Sequence, residues 1–249
     1  MTESVFFGVE AVPLDAESVE LANEPIGDLE PLRRLAHLRE LRLVRTNPHR
    51  RLVHSFDDLE PLRELSNLEV VELARAPVDD LSPLAGLTRL RRLDLSHSQV
   101  SDLSPLRALT ALEDLDVAWT PVADLEALRE LARLEALDVS GTHVVDLAPL
   151  HGLRALRSFE CRDTAVADLG PLAELTALEI LRVGGTKVQD LAPLAGLNAL
   201  RELDLTGTAV RDLSPLVGLS QLQLLVLVGT PVGDDQVEKL ADAVTVLGD

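Results

Sequence analysis

The chain has 249 residues, 46% of them hydrophobic and only 2% aromatic, with a formal net charge of −19. That is enough apolar material for a large core without disulfide or metal staples, and too acidic a balance for DNA, RNA or an anionic membrane, all of which need basic surfaces. The start, MTESVFFGVEAVPL, has no basic segment, and no stretch approaches 18 consecutive apolar residues. Neither a signal peptide nor a membrane span is therefore expected, and the chain reads as cytoplasmic.

In chain order, residues 1–16 show no periodicity, and Val5, Phe6, Phe7 and Val9 read as a short apolar cap. From residue 17 to 232 one pattern recurs, seen most cleanly from Val100 to Thr120. Apolar residues fall there at Val100, Leu103, Leu106, Leu109, Leu112 and Leu115, a spacing of three, and then at Leu115 and Val117, a spacing of two. A spacing of two suits a strand, and a spacing of three suits a tight 3₁₀-like return better than an α-helix of about 3.6 residues per turn. Each unit is one strand and one return, and no unit can bury its leucines alone, so the units must stack into a solenoid.

The 22-residue period and the DLxPLxxLxxLxxLxL pattern resemble those of leucine-rich repeat proteins, most closely the bacterial internalin-type and phosphatase-regulator-type repeats. The resemblance implies an α/β solenoid with about ten parallel strands on its concave face and 3₁₀ or turn segments on its convex face. It also implies recognition of a protein partner. One column departs from the family pattern, with Thr46, Ser98, Thr120, Thr142, Thr164, Thr186, Thr208 and Thr230 where asparagine is usual. A hydroxyl there can still bond to backbone at the turn and to stacked neighbours. Aligning the units gives ten core pairs, from Val19/Leu21 to Leu225/Leu227, and a rod about 45–50 Å long at about 4.8 Å per strand.

An aspartate column recurs through Asp28, Asp58, Asp80, Asp102, Asp124, Asp146, Asp168, Asp190, Asp212 and Asp234, often two residues before the first helical proline's neighbour, as in Ser104-Pro105. It is expected to accept backbone N–H groups where each return begins. Between Asp28 and Asp58 the spacing is 30 instead of 22, which places an eight-residue insertion at 48–55 (PHRRLVHS). Residues 233–249 form a third segment. Val237, Leu240, Ala241 and Val244 recur there at helical spacing behind an aspartate, which predicts an amphipathic capping helix followed by a tail. The only cysteine, Cys161, follows Phe159 by two in a core column and reads as packing.

The residues between the core positions of each strand face outward, and they fall into three zones. Arg42, Arg45 and Arg75, with Arg50 and Arg51 from the insertion, make a basic zone that is either a partner contact or a solvated loop. Asp94, Asp116, Asp138 and Glu160 stand on successive strands with Asp114 beside them. Such carboxylates repel one another and raise each other's pKa unless a cation answers them. A plain solvated face, a basic patch on a protein partner and Ca²⁺ all satisfy that row, although the usual calcium-loop ligands are missing. Ile180, Leu224, Val226 and Val228 form an apolar zone that needs cover, either from the tail 244–247 or from another chain.

Trp119, the only tryptophan, stands between His97 and a glycine column that begins at Gly141, where a partner could reach its ring. Ser96, His97 and Asp116 are neighbours on the face, but no nucleophile turn or oxyanion loop accompanies them. No phosphate loop or metal-spaced histidine or cysteine pair is present either, so no catalysis and no cofactor is expected. The expected activity is non-catalytic protein binding through the concave face and the insertion. The alternative is a subunit that self-associates, as a weak homodimer, through its apolar carboxyl end.

Overall fold

A computed structural model describes residues 3–7, 10–22, 26–44, 56–240 and 244–248. The period of three becomes a chain of tight turns in which each buried leucine N–H donates to the carbonyl of the leucine three residues before it. Leu106 bonds to Leu103, Leu109 to Leu106 and Leu112 to Leu109, each at 2.9 Å. The same links run through the other units, with short 3₁₀ segments such as Ser82–Leu84, Ser104–Ala108 and Ser214–Leu216 opening them. Three residues per turn keeps every leucine of the return on one side, so the spacing and the hydrogen bond have one cause.

The period of two gives the parallel strands β3 (Ser18–Ala22), β4 (Glu40–Val44), β5 (Val70–Glu72), β6 (Arg92–Asp94), β7 (Asp114–Asp116), β8 (Ala136–Asp138), β9 (Ser158–Glu160), β10 (Ile180–Arg182), β11 (Glu202–Asp204) and β12 (Leu224–Val226). Each residue pairs with its repeat equivalent, as in Leu115↔Leu137 and Leu137↔Phe159, so every core column is a continuous stack along the solenoid. Between β4 and β5 the register offset is 30 residues, as in Leu41↔Val71. The sequence-expected insertion at 48–55 lies outside the described residues.

Two polar columns secure the turns. Asp28, Asp58, Asp80, Asp102, Asp124, Asp146, Asp168, Asp190 and Asp212 each accept, through Oδ1, the N–H two residues on, at 2.7–3.0 Å. Nine of the ten expected aspartates are therefore structural, and much of the net charge is fixed by turn chemistry. The threonine column is nearly buried, and Thr120, Thr142, Thr164, Thr186, Thr208 and Thr230 each donate to the carbonyl three residues before. These hydroxyls thus satisfy their own coil rather than the stacked neighbour that the sequence also allows.

The two ends differ from their sequence reading in detail. At the amino end β1 (Ser4–Phe7) and β2 (Glu10–Pro13) form an antiparallel hairpin over the first coil, with Val5, Phe7 and Val12 in the core. Phe6 is 63% exposed because strand alternation turns it away from its neighbours. Val9 lies outside the described residues. At the carboxyl end the capping helix is a single turn, α1 (Asp234–Val237), with Gly233 rather than an aspartate at its N-cap. Leu240 still reaches the core, and Ala241 lies outside the described residues.

The tail does not fold over the apolar zone. Residues Thr245–Leu247 form β13, an eleventh parallel strand beside β12, with Leu224↔Thr245 and Val226↔Leu247 in register. The unpaired backbone groups of an edge strand accept a β-prone segment more readily than its side chains do. Val228 and Leu247 consequently remain 40% and 49% exposed.

Candidate functional site

The centre of the concave face is a column of carboxylates set by the strand positions between the core leucines. Asp94 accepts the N–H of Ser96 at 2.9 Å, Asp116 that of Ala118 at 2.8 Å and Asp138 that of Ser140 at 2.8 Å, in each case through Oδ1. The sequence suggests free, mutually repelling acids there. The structure shows acids whose orientation is set by their own backbone. Asp114 stands in the adjacent column and pairs with Arg92 at 3.1 Å, while Glu160 pairs with Arg182 at 2.5 Å. Where neighbouring strands carry longer side chains, Ala136 and Ser158 leave a depression of about 200 Å³, bordered by Asp94, Asp116, Asp138 and Glu160.

Three residues beyond this row the backbone turns left-handed in each described coil from Arg75 to Gly229. Gly141, Gly185, Gly207 and Gly229 have φ of 65–71°, and Arg75, His97, Trp119 and Asp163 hold φ of 54–67° at the equivalent positions. The turn is needed because this residue's N–H must reach the next coil, as Trp119 N–H does to the Ser140 carbonyl at 2.7 Å. Glycine adopts that conformation without penalty, whereas an L side chain costs about 1–2 kcal/mol. Four such residues are a feature sequence reading missed. The alternation of glycine with bulky residues in one repeat column was its only signal.

The side chains of this column lean along the solenoid onto one another. An Arg75 Nη2 lies 3.2 Å from His97 Nε2, and the His97 and Trp119 rings stack with centroids 6.0 Å apart and planes 7° from parallel. The Trp119 ring in turn occupies the space over Gly141, where a Cβ would stand 2.5 Å from Cε3. The room expected at Gly141 for a partner is therefore filled by the indole itself. The ring remains 52% exposed on its outward side.

Of the basic zone, Arg42 and Arg75 are described, and Arg45, Arg50 and Arg51 lie outside the described residues. Arg42 is neutralised by Glu40 at 2.6 Å and Glu72 at 3.6 Å, so it offers no free positive charge. Beside the strands runs a further alternating column that the sequence reading overlooked. Arg39 pairs with Glu69 at 2.6 Å, Arg91 with Glu113 at 2.7 Å, and Arg157 with Glu179 at 2.8 Å. The alternation fails at Glu113 and Glu135, which are consecutive, so negative charge concentrates on the coils that carry Asp116 and Asp138.

Burial, more than repulsion, governs the titration of Asp116 and Asp114. The Asp116 carboxyl is pushed up to about 7, first by desolvation and then by Asp94, Asp138 and Asp114, against the bond from Ala118. Asp114 is also raised by burial, with Arg92 opposing. His97 is lowered by burial and by Arg75, with Asp94 opposing, which agrees with an Nε2 that accepts from a guanidinium. A carboxyl raised in the folded state stabilises most below its unfolded pKa, near 3.8, and that contribution is lost as pH rises through 7. Asp116→Asn keeps the Oδ1 acceptor and removes the charge. It should raise Tm by a few degrees at pH 8, less at high salt, with the gain gone at pH 4; thermal melts at both pH values check this.

Ser96, His97 and Asp116 do not form a proton relay. The Ser96 hydroxyl donates to Asp94 at 2.7 Å, and His97 faces Arg75 and Trp119. Cys161 is fully buried and its thiol is pushed up to about 12 by desolvation, the environment of a packing residue. No group of His, Cys, Asp and Glu suited to a metal occurs among the described residues, and no helix among them is long and apolar enough to cross a membrane.

No protein-family model and no curated protein matches the sequence. Solved structures do. Internalin C2 of Listeria monocytogenes is 29% identical, with a TM-score of 0.72 over 79% of this chain and 85% of its own. A leucine-rich repeat protein of Leptospira interrogans is 20% identical, with a TM-score of 0.82 over 92% of this chain and 59% of its own. A plant peptide hormone receptor, RGFR1, in complex with RGF2 is 14% identical, with a TM-score of 0.72 over 96% of this chain and 39% of its own. With the register, the 3₁₀ returns and the leucine columns, these likenesses make the chain a leucine-rich repeat protein of 22-residue repeats, similar to the internalins.

Proposed function

We propose that this protein is a non-catalytic recognition scaffold that binds a protein partner on the middle of its concave face. The observation that carries this reading is the left-handed column. Arg75, His97, Trp119 and Asp163 hold a conformation that glycine serves elsewhere in the same column, so the fold does not require these side chains. Backbone strain that the fold does not need is a reason to look for function. Arg75, His97 and Trp119 border the row of Asp94, Asp116, Asp138 and Glu160, with Asp114 beside it, and together they form a rigid, mixed aromatic and charged surface. Arg42 and Arg45, with Arg50 and Arg51 of the insertion, extend the proposed contact towards the amino end. The peptide-bound plant receptor with the same solenoid supports a polypeptide ligand.

Trp119 is the proposed anchor. Trp119→Ala should weaken partner binding by about 2 kcal/mol or more, because a rigid half-exposed indole contributes a large contact area at low entropic cost. Capture from native lysate, comparing wild type with the variant, measures this. In the free protein the indole should emit at long wavelength and be quenched by iodide; a blue-shifted, iodide-insensitive spectrum would remove Trp119 from the contact surface.

A second reading rests on the exposed Val228 and Leu247 at the carboxyl end, which adjoin the half-buried Leu224 and Val226. It makes the chain a subunit that self-associates there. Sedimentation at rising concentration tests it, with a dimer abolished by Leu224→Asp as the supporting result.

A further inference from the structure

Towards both ends of the depression the outward column of the sheet is neutralised from within. Glu72 pairs with Arg92 at 2.9 Å, Glu160 with Arg182, Arg182 with Glu202 at 2.9 Å, and Asp204 with Arg162 at 3.0 Å. Among the described residues the acids of this column without an ion-pair partner are Glu20, near the amino end, and three on consecutive strands, Asp94, Asp116 and Asp138. These three aspartates also line the depression between β6 and β9.

Asp204 shows what such a residue takes up when a cation is within reach. Its Oδ1 accepts the N–H and hydroxyl of Thr206, as the Oδ1 of Asp94 accepts those of Ser96. Its Oδ2 is then left for the Arg162 guanidinium. Asp116 and Asp138 have the same backbone bond through Oδ1. Arg162, however, stands two coils before Asp204, and at the corresponding positions Asp94, Asp116 and Asp138 have Val44, Ala74 and Ser96, none of them a cation. The acceptor geometry is repeated and the cation is missing.

We propose that the row of Asp94, Asp116 and Asp138 is the seat for an arginine or lysine side chain carried by the protein partner, with Trp119 and His97 as the rim beside it. This rests on the recognition reading above and names the chemistry that the face selects. A depression of about 200 Å³ is smaller than the roughly 300–1,000 Å³ of a small-molecule site and fits one side-chain head group. Carboxylates held in place before binding give charge-assisted hydrogen bonds at little ordering cost. Desolvation, with Asp94, Asp138 and Asp114 adding to it, pushes the Asp116 carboxyl up, and a seated cation would oppose that rise.

The test uses the full chain and a synthetic peptide of alternating glycine and arginine, with the same peptide carrying neutral citrulline as its isosteric control. Binding is read by calorimetry and by Trp119 emission. Asp116→Asn/Asp138→Asn is compared with Glu64→Gln/Glu130→Gln, which removes the same two charges from exposed positions on the returns. The expected result is binding of the arginine peptide that the citrulline peptide fails to match, weakened about tenfold or more by the aspartate pair and hardly at all by the glutamate pair. Asparagine keeps the Oδ1 acceptor, and the melting curve of the variant confirms that it folds. Absent binding, equal binding of the citrulline peptide, or equal loss in both variant pairs overturns the proposal. A native partner lost on Trp119→Ala but retained by the aspartate pair would also overturn the cation seat while leaving the recognition face standing. A partner retained by both variants would remove the recognition face as well.

Discussion

Alanine at Gly141 is expected to destabilise the protein by about 2–4 kcal/mol, whereas alanine at Gly207 costs only about 1 kcal/mol. Both glycines occupy the left-handed position, with φ of 66° and 65°, so the backbone penalty is common to the two. Their surroundings differ. A Cβ at Gly207 finds its nearest neighbour, the Gly185 nitrogen, at 3.9 Å, while one at Gly141 meets three indole carbons of Trp119 within 2.9 Å. The indole is itself held by His97, so it cannot retreat without losing that stack. In a Trp119→Ala background, Gly141→Ala should therefore fall towards the Gly207→Ala value. The coupling energy from urea denaturation of the four variants measures how firmly Trp119 is seated. Equal costs at Gly141 and Gly207 in the wild-type background would show that the ring does not rest on Gly141 in solution.

The same site shows where sequence reading succeeds and where it stops. The leucine columns, the ten repeat strands and the 3₁₀ returns were legible because each rests on a periodicity repeated many times, and an error in one coil is corrected by its neighbours. The turn aspartates were legible for the same reason. What escaped was the partner of each polar atom, since that depends on one coil at a time. Asp116 reads as one more acid in a repelling stack, and only coordinates show its Oδ1 bound to the Ala118 N–H. Arg42 reads as part of a basic patch, and only coordinates place Glu40 and Glu72 against it. The glycine column reads in the sequence as free space, whereas its physical message is a positive φ. The tail strand β13 escaped because pairing at an open edge is decided by backbone hydrogen bonds, to which side-chain pattern is nearly silent.

Phe159→Ala should be the most destabilising of the single substitutions considered, at about 3–5 kcal/mol, because a fully buried aromatic side chain is removed from the middle of a continuous stack. Its coil departs twice from the consensus: phenylalanine stands where most coils have leucine, and Cys161 where they have valine or leucine. Both side chains are fully buried, two residues apart on one strand, and Phe159 is paired with Leu137 and Leu181 on either side. The larger residue and the smaller one therefore offset each other in volume. Phe159→Leu alone should leave a small void, and Cys161→Val alone should overpack, each costing about 1 kcal/mol. The double variant recreates the Leu137/Val139 pair of the preceding coil, so it should cost clearly less than the sum of the singles. Because a solenoid transmits packing defects mainly to adjacent coils, the loss should also loosen β9 and with it Ser158 and Glu160, which border the acidic depression. Urea denaturation of the four proteins decides the point: strictly additive costs would mean that the two side chains share no volume and that the coil beside the proposed cation seat is packed in some other way.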